Sequence, residues 1–329
     1  MLATKSSILP VLASLASVFF LYTLLISNSR PTWPRADTTR SSPSDLSLRL
    51  ARSEKLWSRS LLDRQIMYAA SGTREFPTGF IYPYNVWDFV RPSFNCPFEV
   101  ERVGTLGDGG KWVCGMSQYE THSPGPSRAT NMAVELVVYS FGVNDDSGFE
   151  ARVMDRTNAK VWGYDYSVNG WAGDITQRQS GRAKFKKAAI AKTTNEESSP
   201  PAYSVQDLML ANGHDFVDVM KMDIEGAEFD ALGSLVGHVE KNWNGTAEPV
   251  LPIGQLLVEI HIMNGTLPFG MPTTMRAFLD WWDGLEALGM RPVWNEHNWI
   301  GDKFAGFPRF IEYTFINTRH PRSMLLKES

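Results

Sequence analysis

From Phe94 to Asn317 the chain alternates short apolar runs with segments of helical period. The first two runs, "FEVERV" and "KWVC", flank a Gly/Asp-rich turn and predict a β-hairpin. After the loop "SQYETHSPGPSRATNM" come the strand "VELVVYSFG", the helix "GFEARVMDRT" and the strands "AKVWGYDYS" and "FKKAAIAKT". "SVQDLMLANG" opens on a cap of the Ser/Asp type and closes on Gly213, which predicts a short helix. The strand "FVDVMKMD", the helix "GAEFDALGSLVGHV", the strand "GQLLVEIH" and the helix "TMRAFLDWWDGLEALG" follow, and "MRPVWNEHNW" and "FIEYTFINT" close the chain as strands. There is no internal repeat. Strands that are nearly continuous in apolar residues, alternating with helices, predict an α/β domain with a mostly parallel sheet covered on both faces.

The N-terminal part has a different pattern. "ILPVLASLASVFFLYTLLI", Ile8 to Ile26, is an uncharged run of about 19 residues, long enough for a membrane span. A cleaved signal peptide is the competing reading, but its apolar core is shorter and the exit "SNSRP" has no clear small-x-small site. The Ser/Thr/Pro/Arg stretch that follows has little to bury and is read as a stem. In "SLRLARSEKLWSRSLLDRQIMYAA" the apolar positions Leu50, Trp57, Leu61, Leu62 and Ile66 predict a helix with a partial apolar face. The expected division is an anchor at 1–28, a stem and helix at 29–93, the α/β domain at 94–319 and a tail at 320–329.

Composition adds limits. A net charge of −4 gives no reason to expect nucleic acid as a partner. Arg30, Arg35 and Arg40 after the span favour a cytosolic domain. Sequons at Asn244 and Asn264 point instead to the lumen of the endoplasmic reticulum or Golgi. The two cysteines, Cys96 and Cys114, are either one disulfide or two thiols.

The chemistry gathers where strands end, which in such a sheet is the ligand crevice. "YSFGVNDDSGFE" offers Gly142 for close approach, and Asn144 and Asp145 at a helix start. Asp145, Asp146 and Glu150 would repel a phosphate there, so a ligand with a positive centre and an amino group fits better. "VWGYDYS" ends on Asp165, which can accept both hydroxyls of a ribose. In "KMDIEGAEF", Lys221, Asp223 and Glu225 share one side of an extended chain. The helix dipole accounts for Glu228 but not for Asp223. "QLLVEIH" places Glu259 and His261 on one face, and either can accept a proton. "GDGGKW" reads as a hairpin turn or as a loop over a cofactor.

The series "VVYSFGVNDDSGFE", "VWGYDYS", "VDVMKMDIEGAEFDAL" and "QLLVEIH" resembles the class I, S-adenosylmethionine-dependent methyltransferases. Within them it resembles the FkbM-like and methyltransferase-like-24 group, through "DGGKWVC" and the K-x-D-x-E-G-x-E segment. The resemblance implies a Rossmann-like three-layer sandwich with a seven-stranded sheet and a reversed C-terminal hairpin. It implies S-adenosyl-L-methionine as cofactor, with Gly142 and Asn144 along its methionine part, Asp165 at the ribose and Asp223 facing the methyl group. Many relatives carry an acid where this chain has Ser140, so amino-group binding passes to Asp145, Glu150 or a water. It also implies O-methylation of a hydroxyl acceptor, such as a sugar, with Asp223, Glu259 and His261 as candidate catalytic groups. Two other readings stand beside it. One is a glycosyltransferase holding Mg²⁺ or Mn²⁺ on Asp223 and Glu225; the other is a methyltransferase fold without activity, serving as a binding module.

Overall fold

The computed structural model describes residues 43–107, 109–125, 135–263, 270–299 and 309–327. The expected span at Ile8–Ile26, most of the stem, Asp108 and the sequon at Asn264 lie outside them. Among the described residues no helix is long and apolar enough to cross a membrane. Residues 42–329 form one compact unit.

Its centre is a seven-stranded sheet in the order β10-β11-β9-β8-β3-β4-β5. The strands are β3 (Leu136–Phe141), β4 (Ala159–Asp165), β5 (Ala183–Lys187), β8 (Val217–Met222), β9 (Ile253–His261), β10 (Met290–His297) and β11 (Phe310–Asn317). Neighbours from β9 to β5 pair in parallel, and β11 runs antiparallel to both β9 and β10. The expected reversed hairpin is therefore β10–β11. The segment read as one strand, "FKKAAIAKT", divides into β5 and the two-residue β6 (Ala189–Ile190), which pairs with β7 (Ala202–Tyr203).

The strand residues point alternately into two cores. Tyr139, Phe141, Met220 and Met222 face the core that contains helices α4 (Val205–Asn212), α5 (Glu228–Lys241) and α6 (Met275–Ala287). Val138, Val161, Val219 and Leu257 face the other, with α2 (Met116–His122), α3 (Gly148–Arg156) and the hairpin β1 (Val100–Val103)–β2 (Lys111–Cys114). Every residue of β8 and β9 is buried, which is why these stretches read as nearly continuous apolar runs. Helix starts follow local chemistry: Ser204 accepts from Asp207 N–H before α4, and Thr274 accepts from Ala277 N–H before α6. Cys96 and Cys114 form a disulfide that ties the segment before β1 to the end of β2.

Helix α1 (Pro43–Ser71) docks in part by its apolar pattern: Leu50 and Trp57 pack against a core, and Leu46 is buried. Leu62 and Ile66 are exposed. Met67 and Tyr68 pack against the other core, and polar contacts are added: buried Arg64 donates to Phe89 O at 2.9 Å and pairs with Asp283 and Glu286 on α6. Trp57 Nε1 donates to Glu286 at 2.9 Å, and the Arg291 guanidinium lies 3.4 Å over the Trp57 ring. Hydrophobic spacing cannot see the ion pairs in that contact.

The chain runs β3–β4–β5 in one direction from the middle of the sheet and β8–β9 in the other. The switch falls between β3 and β8, so the crevice opens at their carboxyl ends.

Candidate active site

At the tip of β3 the backbone turns through Gly142, φ +75°. A Cβ there would stand 1.7 Å from the Asp223 carbonyl oxygen, so only glycine lets the β3 and β8 tips meet. Gly142 N–H donates to Tyr164 O and Asp223 N–H to Phe141 O, both at 3.0 Å, which joins three strand ends. Asn144, also at positive φ, and Asp145 are exposed on the cleft wall beyond.

Asp165 closes this loop from below. Its Oδ2 accepts the Val143 and Asn144 N–H groups at 2.8 Å, and its Oδ1 accepts the Ser167 N–H and hydroxyl at 2.6 Å. These four bonds fill the acceptor directions of a carboxylate. Burial opposes ionisation, but the Ser167 hydroxyl and the backbone N–H groups outweigh it and hold the carboxyl below its usual range. A ribose hydroxyl reaches Asp165 only if the Ser167 hydroxyl gives way.

Glu150 departs from its expected place. It is fully buried in the first turn of α3 and does not line the cleft. Its Oε1 accepts the Ser140 hydroxyl and Lys221 Nζ, the latter at 3.1 Å, and Lys221 Nζ also donates to Gly142 O at 3.0 Å. A buried lysine needs a counter-charge, and Glu150 supplies it. Glu150 thus supports the Gly142 turn through Lys221 instead of meeting a ligand.

The β8 and β9 tips are arranged otherwise. Glu312 on β11 stands opposite Glu259 on β9. Like charges in such a pair repel. Buried Lys111, from β2, separates them: its Nζ lies 2.8 Å from Glu312, 3.0 Å from Asp223 Oδ2 and 3.8 Å from Glu259 Oε2. His261 Nδ1 lies 3.0 Å from Glu228 Oε1, which also accepts the Ile224 and Gly226 N–H groups at 3.0 and 3.2 Å. That oxygen is an acceptor, so Nδ1 donates. Nε2 then faces Asp223 Oδ1 at 3.8 Å, Glu225 Oε2 at 3.7 Å and Glu259 Oε1 at 3.9 Å. The Glu228 carboxylate also holds the turn in which Glu225 takes φ +55°, a left-handed conformation costly for a non-glycine residue. Asn298 donates to Glu259 Oε1 at 2.9 Å, and Phe310 packs 4.8 Å from the His261 ring.

These neighbours set the charges. Burial resists ionisation of Asp223, but Lys111, then His261 and Lys221, hold its carboxyl down at about 2. Burial and the Asp223 charge push Glu259 up to about 7. His261 is raised to about 10: burial works against its charge, and Glu228, Glu259 and Asp223 outweigh burial.

Between the two arrangements lies a cleft of about 1280 Å³. That exceeds the roughly 300–1,000 Å³ of a site for one small ligand and leaves room for two. It brings Gly142, Asn144, Asp145, Asp165, Asp223, Glu259 and His261 onto one surface and leaves Glu150 out. Lys111 and Glu312 escaped the sequence reading, and Glu228 was read only as a helix-start charge. The available signal was a lone charge inside an apolar strand, as in "KWVC" and "FIEYTFINT".

The chain belongs to a methyltransferase-domain family, which matches residues 54–304 and so includes the site residues described above except Phe310 and Glu312. It is accordingly a methyltransferase, and the glycosyltransferase reading of Asp223 and Glu225 gives way to that match. No curated protein matches the chain. Similar solved structures include the Methanococcus jannaschii fibrillarin pre-rRNA processing protein, at 12% identity over 72% of this chain and 86% of that one, with a TM-score of 0.32. A TehB-like SAM-dependent methyltransferase from Corynebacterium glutamicum gives 10%, 62%, 86% and 0.28. The Burkholderia thailandensis 1,6-didemethyltoxoflavin-N1-methyltransferase, solved with S-adenosylhomocysteine, gives 13%, 62%, 76% and 0.32. Scores this low carry no argument; the class rests on the family match and the strand order.

Proposed function

We propose that this methyltransferase uses S-adenosyl-L-methionine and methylates a hydroxyl group, in keeping with the FkbM-like and methyltransferase-like-24 resemblance. The observation that carries the reading is the pair of arrangements facing one cleft: a glycine turn with exposed Asn144 and Asp145 at one end, and Asp223, Glu259 and His261 at the other. The cofactor supplies a methyl group on a positively charged sulfur. The residues fit it: Gly142 leaves space for close approach, Asn144 and Asp145 present polar atoms, and the carboxylates of the wall favour a positive centre. The walls hold cofactor and acceptor together and keep water away, which favours in-line transfer. The Glu259 carboxyl, raised to about 7, stands where an acceptor hydroxyl can pass on its proton, and Asp223, kept ionised by Lys111, favours the positive centre. His261, held by Glu228, orients this end.

The disulfide Cys96–Cys114 and the exposed sequon at Asn244 support a domain in an oxidising lumen behind an N-terminal membrane anchor. Calorimetry of the full chain with S-adenosylhomocysteine, followed by transfer of labelled methyl to hydroxyl-bearing acceptors, tests the function. Absence of S-adenosylhomocysteine binding overturns it. A glycosidase-sensitive gel shift that disappears in Asn244→Gln is the expected sign of the lumenal placement.

A further inference from the structure

We propose that His261 Nε2, Asp223 Oδ1 and Glu225 Oε2 bind one divalent metal ion. The three groups offer ligand atoms that all lie within 4.8 Å of one another. Two ligands each about 2.0–2.2 Å from a shared ion lie about 3 Å apart at a right angle and about 4.4 Å apart across it. The separations from Nε2, 3.7 Å to Glu225 and 3.8 Å to Asp223, fall between those limits.

The second observation is the way His261 is held. His261 is 3% exposed, and its Nε2 makes no hydrogen bond among the described residues although it points into the cluster. Its other nitrogen is fixed by Glu228 Oε1, and that oxygen is anchored by two backbone N–H groups. A carboxylate behind the distal nitrogen is the arrangement that sets the angle of a metal-binding histidine, and the ion takes the place of the Nε2 proton, which is released on binding. The carboxylates are divided in the same sense. Lys111 takes Asp223 Oδ2 and lies on the Oε2 side of Glu259, so that Asp223 Oδ1 and Glu259 Oε1 turn toward Nε2. Mixed imidazole and carboxylate donors without thiolate suit Mn²⁺ or Zn²⁺. If the function proposed above holds, an ion here lies at the acceptor end of the cleft and polarises the hydroxyl to be methylated.

The test is titration of the full chain with MnCl₂, followed by the electron paramagnetic resonance signal of free Mn²⁺, and with ZnCl₂ by calorimetry. One ion per chain is expected. Glu225→Gln alters a side chain that is 71% exposed, so folding is not at stake, and it weakens binding at least about 10-fold. Glu228→Gln, which reaches the ion through His261 and through the turn that carries Glu225, weakens it by about 10–100-fold. No binding of either metal up to about 1 mM, or both variants binding like the parent, overturns the site. S-adenosylhomocysteine binding measured on the same samples separates the two proposals. Metal binding without it removes the cofactor reading and keeps the site; the reverse removes the site and keeps the cofactor reading.

Discussion

Asp165 and Asp223 are both aspartates at the ends of parallel strands of one sheet, yet they do opposite work. Asp165 spends both oxygens on Val143, Asn144 and Ser167 and serves the backbone of the turn it supports. Asp223 gives one oxygen to Lys111 and turns the other toward His261, 3.8 Å away. The first region is closed on itself. In the second, Asp223, Glu225, Glu259 and Glu312 gather around the ammonium of Lys111 and one face of an imidazole. Position at a strand end marks a residue as near the cleft. The partners it already has decide whether it is available to a ligand.

The largest effect is expected at the point where the two regions touch. Gly142→Ala drives a methyl group into the Asp223 carbonyl, a backbone atom that cannot step aside, and the loss is expected to exceed about 4 kcal/mol. Circular dichroism and yield of soluble protein read it; a cooperatively folding variant with the parent's melting point breaks the close-approach argument. Next comes Lys111→Met, which leaves Glu259, Glu312 and Asp223 facing one another without their shared cation. Removing one partner of a buried ion pair costs about 3–5 kcal/mol, measured by urea unfolding. Asp165→Ala orphans the Val143 and Asn144 N–H groups and is expected to cost about 2–3 kcal/mol on the same assay. If it instead removes cofactor binding at unchanged stability, Asp165 belongs with the ligand-facing acids and the contrast fails.

The smallest effect lies at Asp218, which is neither saturated nor ligand-facing. It is buried on β8 with Val137 N–H as donor at 2.9 Å, and burial raises its carboxyl to about 6. The folded state therefore keeps this proton longer than the unfolded chain does. The associated stability is present below the ordinary carboxylate value and is lost as pH rises through about 6. Asp218→Asn keeps an acceptor for Val137 and is expected to gain about 1–2 kcal/mol at pH 8 and nothing at pH 4, by denaturant midpoints.

Apolar runs and helical periods in the sequence sufficed for the strands and helices in chain order and for the crevice at the strand ends; the reversed closing hairpin was implied by the family resemblance, and the order across the sheet came from the structure. Residues adjacent to those ends, Gly142, Asp165, Asp223, Glu259 and His261, were legible because a buried strand that stops on a polar residue is a local event. Lys111 and Glu312 were not, since each looks like an ordinary charge until β2 and β11 bring it beside Asp223 and Glu259. Glu150 and Glu228 were legible as acids in first helical turns but not as buried counter-charges. The sequence by itself determined the period of burial and the chemistry available at each strand end, because both depend on neighbours along the chain. Only the tertiary structure decided which acids are saturated, which face a ligand and which hold a histidine, because hydrogen bonds and charges act over a few ångströms of space, whatever the distance along the chain.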